Sequence, residues 1–146
     1  VKHIPGHGLS NKDSHFTTPI IKEKFHVLLK KDFYPFKETI ALFAMTAHVI
    51  YQQIDPFNTV THSRLMINEI IRKKLKFGGI IISDDISMKS LRYSLKENAI
   101  KSFDSGCNLI LHCNAKLSET ILLCKLAPEI DTFTTKKTHK FYNNLI

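Results

Sequence analysis

The sequence predicts an α/β fold built on a parallel sheet. Short apolar runs bounded by turn residues alternate with longer amphipathic stretches, the pattern of strands covered by helices. The clearest run, Ile80-Ile81-Ile82, is continuous rather than alternating, which suits a strand buried on both faces. Polar residues with acid or imidazole chemistry stand at the ends of the runs. His3, His48, Asp84 and His112 follow one another at 45, 36 and 28 residues. A βαβ unit takes about 30 residues or more, so three successive units fit.

The elements follow in order. A first strand ends at Lys2-His3 and gives way to the turn Pro5-Gly6-His7-Gly8. Residues 42–47 read as a buried strand or a helix end. Residues 63–76 read as a helix, capped by Ser63, with Ile67, Ile70, Ile71 and Leu75 on one face and Arg72, Lys73 and Lys76 largely outside. Gly78-Gly79 stops it, and the strand 79–82 runs into Ser83-Asp84-Asp85. Leu91, Leu95, Ala99 and Phe103 recur every four residues and predict a helix over 88–103. Ser105-Gly106 breaks it before another buried strand at 108–111. A last helix over 117–127 is closed by Pro128, and the tail from Thr132 is polar and basic with weak signals.

Composition excludes several classes. The chain has 146 residues, of which 43% are hydrophobic and 23% charged, enough apolar content for a packed core. No apolar run reaches the roughly 18 residues of a membrane span. Cys107, Cys113 and Cys124 are odd in number and lack C-x-x-C spacing, so they read as free thiols in a reducing compartment. The net charge of +8 suits anionic partners. The basic stretches 22–31, 72–76 and 136–137 lack interleaved aromatics, however, and read as solvated helix faces rather than a nucleic-acid surface.

Two clusters can do chemistry. Asp13-Ser14-His15 puts a carboxylate two residues from an imidazole, an arrangement that fixes a tautomer and steadies a charged ring. A plain turn with an exposed His15 is the alternative, and zinc held by His3, His7 and His15 is another. Ser83-Asp84-Asp85 puts two acids at a strand mouth, where only one can face a pocket. Asp84 suits a nucleophile, a base or a ligand, and Asp85 suits a helix cap.

Four motifs occur together: Lys2-His3-Ile4-Pro5-Gly6-His7-Gly8, Asp13-Ser14-His15, Met45-Thr46-Ala47-His48-Val49, and the run from Gly79 through Ser83-Asp84-Asp85-Ile86-Ser87-Met88. In that order and spacing they resemble the bacterial β-N-acetylglucosaminidases of glycoside hydrolase family 3, the peptidoglycan-recycling type. Ser105-Gly106-Cys107-Asn108-Leu109 matches as well. Two departures are mild, Ile4 for a usual Phe and Ile86 for a usual Leu, and Asn108 stands where the family commonly has Asp.

The resemblance implies a TIM barrel and retaining hydrolysis of terminal β-linked N-acetylglucosamine through a covalent glycosyl-enzyme. It implies Asp84 as nucleophile, His15 as general acid/base with Asp13 as its partner, and Lys2 and His3 as sugar-binding residues. No metal or organic cofactor is implied. Since a full barrel takes about 250 residues, the expectation is the carboxyl-terminal half, about strands five to eight. Residues 1–130 would be the partial barrel and 131–146 a polar tail. The partners expected are a muropeptide carrying N-acetylglucosamine and a missing amino-terminal half, with no nucleic acid and no membrane; the location expected is cytoplasmic. The reaction is expected to be incomplete in this chain alone. The alternatives are an inactive remnant or half of a split enzyme needing an amino-terminal partner, and a β-glucosidase-like member of the same family.

Overall fold

The computed structural model describes residues 1–14, 16–114, 116–143 and 145. Four strands form one parallel sheet in the order β1 (Lys2–Ile4), β3 (Phe43–Thr46), β5 (Ile80–Asp85), β6 (Leu109–Leu111). Each is the next strand out from its predecessor, and all run the same way, so their carboxyl ends share one edge. That edge carries the chemistry of a parallel α/β sheet. The four expected strands are thus present. A second, two-stranded parallel sheet, β2 (Ile20–Ile21) with β4 (Ile50–Tyr51), lies outside the sequence expectation, because two-residue strands carry no periodic signal.

The main core lies around Ile4, Ala44 and Ile81 of the sheet and includes Ile67 and Ile71, all essentially inaccessible. β5 is apolar throughout its first three residues; Ile80 and Ile81, on opposite faces, are fully buried, and Ile82 is half-buried. The short helix α1 (Phe25–Lys30) adds Leu28 to this core, and a smaller cluster of Ile86, Leu91, Ala99 and Leu123 seals the junction of α2 (Leu95–Ser105) with α3 (Leu117–Leu126).

Three local expectations are corrected. The helix at 63–76 is wide over Met66–Lys74, as the bond from Leu75 N–H to the Ile70 carbonyl five residues back shows. Ser63 still accepts from the Met66 N–H, at 3.1 Å. Arg72 does not point outward. Its guanidinium donates to the carbonyls of Phe77 and Gly79 and to Asn108 Oδ1, and it lies over the rings of Phe77 and Phe133. An arginine can tie strand ends because its fork reaches several acceptors at once. Burial holds its pKa below the ordinary value.

The helix expected from residue 88 begins only at Leu95. Ser94 and Glu97 form a reciprocal capping box, which fixes the start there. Gly106, at φ +112°, ends it in the left-handed conformation that glycine adopts without strain.

The polar stretch near the end of the chain is also ordered. It forms α4 (Thr132–Asn143), whose first turn is held by Asp131 accepting from the Thr134 N–H. Thr134 is buried and accepts from Asn108, and Phe141 packs edge-on against Phe43. These tertiary contacts at the amino ends of the strands have no counterpart in local periodicity. Among the described residues no helix is long and apolar enough to cross a membrane.

Candidate functional site

An open cleft of about 500 Å³ lies beyond the carboxyl ends of β1 and β5. Lys2, His3, His7, Gly8, Asp13, Ser14 and Asp84 line it. Four of the five sequence candidates therefore meet in one place, although they are spread over 82 residues of chain. His15 lies outside the described residues.

The sheet register brings β1 and β5 to either side of β3, and His3 and Asp84 face each other across it. His3 Nε2 is 3.4 Å from Asp84 Oδ2, and both side chains are partly accessible from the cleft. The other carboxylate oxygen, Asp84 Oδ1, accepts from the Asp85 N–H at 2.8 Å. One oxygen is thus anchored to the backbone and the other is presented towards an imidazole. His7 is the next ring along, 6.3 Å from His3 between centroids.

Asp85 points elsewhere, as the pleat requires of a neighbouring residue in an extended chain. Its carboxylate accepts from the Ser87 N–H and hydroxyl and from the Cys113 N–H. His112 Nδ1 stands 3.9 Å away, with Nε2 on Glu119 of α3 at 3.0 Å. Burial alone would raise the Asp85 pKa, but these donors together hold it below the ordinary carboxylate range. The expected helix cap is not its role: the following helix is capped by Ser94, and Asp85 instead closes a tight turn and ties it to the loop after β6.

The loop after β1 is held from beneath. Tyr51 donates to the Gly6 carbonyl at 2.9 Å and to Asp32 Oδ2 at 3.2 Å, while Asp32 Oδ1 accepts from the Leu9 N–H. Burial pushes the Asp32 carboxyl above its ordinary pKa, against the lowering effect of these bonds. Tyr51 is pushed up as well by burial and by the neighbouring carboxylate. Asp32 and Tyr51 gave no signal in sequence, since only the fold brings them under the glycine turn.

His48 carried a signal as a strand-end imidazole, but its partners did not. Nδ1 is 2.7 Å from Thr61 Oγ1 and Nε2 is 3.0 Å from the Asp85 carbonyl. Burial lowers its pKa, and the Asp85 carbonyl and the charges of Asp84 and Asp85 oppose that only in part. Among the described residues, no group of three His, Cys, Asp or Glu side chains stands close enough to hold a metal ion. A second cavity of about 510 Å³ opens at the far side, by Asn108, Asp131 and Thr134, at the amino end of β6. It holds none of the candidates.

A parallel α/β sheet with a carboxylate and imidazoles clustered at its carboxyl edge places the chain among the α/β proteins that carry their chemistry beyond the strand ends. The family model for the glycosyl hydrolase family 3 N-terminal domain matches residues 1–139, and the chain belongs to that family. A β-hexosaminidase from Nitrosomonas eutropha is 37% identical over 141 residues, 93% of this chain and 40% of its own length. One from Aromatoleum aromaticum is 34% identical over 134 residues, 88% of this chain and 37% of its own. Among solved structures, native NagZ from Neisseria gonorrhoeae superposes with a TM-score of 0.78 at 31% identity, covering 93% of this chain and 40% of that one. A family 3 β-N-acetylglucosaminidase from a Paenibacillus species gives 0.79 at 29% identity, covering 86% and 25%. The chain thus spans about two fifths or less of the length of these relatives.

The match corrects the expected position in the family. The matched region is the family's N-terminal domain, so the carboxyl-terminal half expected from sequence, with its strands numbered five to eight, is not retained. The missing amino-terminal half expected as a partner goes with it. The physical reason is that a (β/α) repeat has the same local pattern at every position. Strand chemistry can be read from such a pattern, whereas the ordinal number of a strand cannot.

Proposed function

We propose that this site performs retaining hydrolysis of terminal β-linked N-acetylglucosamine in peptidoglycan fragments. The observation that carries the reading is the Asp84 carboxylate at the carboxyl end of β5, in an open cleft shared with Lys2, His3 and Asp13. The names of the relatives agree with it: they are β-hexosaminidases and β-N-acetylglucosaminidases.

In this reading Lys2 and His3 bind the sugar. An Asp84 oxygen attacks the anomeric carbon from the face opposite the leaving group, and the glycosidic C–O bond breaks. His15 gives its proton to the departing oxygen, and Asp13 stabilises the imidazolium beforehand. Water then attacks the same carbon from the vacated face, His15 takes its proton, and the bond to Asp84 breaks. Two inversions leave the β configuration. An imidazole exchanges protons near neutral pH without the raised carboxyl pKa that an acid/base carboxyl needs. Three free thiols, two of them exposed, suit a reducing compartment, and we assign the protein to the cytoplasm.

The test is a fluorinated N-acetylglucosaminide whose glycosyl-enzyme turns over slowly. The expected result is one sugar mass added to the chain, mapped to Asp84 and absent from a folded Asp84→Asn variant. An aryl β-N-acetylglucosaminide would be cleaved by the wild type and not by that variant. A folded chain with no adduct, or one labelled at another residue, would sink the proposal.

A further inference from the structure

We propose that His48, together with Thr61 and Thr46, is a positioning device that aims the Asp84 carboxylate. The functional meaning rests on Asp84 being the nucleophile, whereas the geometry does not. His48 follows β3, is about 1% exposed, and does not line the cleft, so it has no access to a substrate. Both of its ring nitrogens are nonetheless engaged.

The proton order along this chain follows from the partners. The Asp85 carbonyl only accepts, so His48 Nε2 carries hydrogen and donates to it. Burial disfavours the imidazolium, so Nδ1 is a lone pair and accepts from the Thr61 hydroxyl. That hydroxyl has spent its hydrogen, and Thr46 Oγ1, 2.8 Å away, donates to Thr61 Oγ1. Buried polar groups of this kind are held because an unpaired one is costly.

The consequence reaches the cleft through one residue. Asp85 is gripped at its carbonyl by His48 and the Met88 N–H and at its carboxylate by Ser87 and Cys113. With both ends held, its N–H direction is fixed, and that N–H anchors Asp84 Oδ1. Asp84 Oδ2 then faces His3 and the cleft. A neutral ring at position 48 also adds no cation beside Asp84 to compete for its charge.

The test uses the intact chain with isotope-labelled histidine and aspartate. At pH 7 the ring nitrogens of His48 should report the neutral Nε2–H tautomer. In His48→Leu, or in Thr61→Val should the first variant fold poorly, the Asp84 carboxyl carbon resonance should move. In His48→Gln, whose amide N–H can reach the Asp85 carbonyl, it should stay near the wild-type position. With an aryl glycoside, His48→Leu should lower kcat about tenfold to a hundredfold with KM little changed, as expected when a reacting group is misaimed; His48→Gln should recover most of it. An imidazolium, an Nδ1–H tautomer, or an unmoved Asp84 resonance in His48→Leu and Thr61→Val would overturn the proposal. So would a change in KM alone. Should the folded wild type form no Asp84 adduct, the catalytic reading falls by itself, and the resonances still decide the positioning.

Discussion

Replacing Gly6 by alanine should destabilise the protein far more than the same change at Gly78. Gly6 sits at φ +143°, a conformation that L side chains rarely adopt. A Cβ built there would lie 2.6 Å from Asp32 Cβ and 2.7 Å from the Asp32 carbonyl oxygen. The second contact is backbone, so it cannot rotate away. Strained backbone costs about 1–3 kcal/mol and overpacking about 1–3 kcal/mol. Together Gly6→Ala should cost roughly 2–6 kcal/mol. Gly8 is an intermediate case. Its Cβ would meet only Asp32 Oδ1, at 3.3 Å, and that oxygen is held by the Leu9 N–H. About 1 kcal/mol is expected there, within the usual range for a single substitution. At Gly78 nothing lies within 4 Å of the built Cβ, so the change should be near neutral. Urea unfolding of the three variants gives the order directly. In thermal scans the Gly6 variant should melt several degrees lower, at about 3 °C per kcal/mol for a chain of this size. A Gly6→Ala protein as stable as wild type, or a Gly78→Ala protein that loses more, would refute the claim that the Asp32–Tyr51 pair clamps this turn from beneath.

The other expectations concern acid and the far side of the sheet. Burial pushes His62 from its ordinary 6.5 down to about 4. The unfolded chain therefore binds a proton first, and stability falls as pH drops from about 6.5 towards 4, by up to about 3 kcal/mol. His48, also lowered, acts in the same direction. Asp85 and Asp55, both held below the ordinary 3.8, contribute stability that is lost only at still lower pH, as each is protonated in the fold. Urea midpoints from pH 8 to 4 test this: His62→Phe should flatten the slope above pH 4, and a flat wild-type profile would contradict the assignment. Asn108 Oδ1 accepts from Arg72 and from the Ile81 N–H, and its amide donates to Thr134. Asn108→Asp should be neutral or stabilising at pH 7, since a carboxylate serves the same two donors and pairs with Arg72. Asn108→Leu should cost about 3 kcal/mol or more by leaving a partly buried guanidinium and an N–H without their acceptor. Equal stability of the two variants would show that Arg72 is not tied down there.

By itself the sequence determined the parallel α/β class, the four strands of the main sheet, and that only one of Asp84 and Asp85 can face a pocket. These rest on local signals: continuous apolar runs, strand-end polar residues, and a pleat that sends adjacent side chains opposite ways. The resemblance carried by four motifs named the family in advance. It also led to the wrong position within it, since repeated βα units look alike one at a time. Tertiary structure alone decided the rest. It brought Lys2, His3, Asp13 and Asp84 around one cleft through the register of β1, β3 and β5. It turned Arg72 inward and ordered the polar tail as α4, because acceptors and an apolar surface from distant segments wait there. It also placed Thr61 beside His48, and Asp32 and Tyr51 beneath Gly6. A hydrogen bond between residues far apart in the chain leaves no period in the sequence. Such partners become visible only when the backbone has closed the distance.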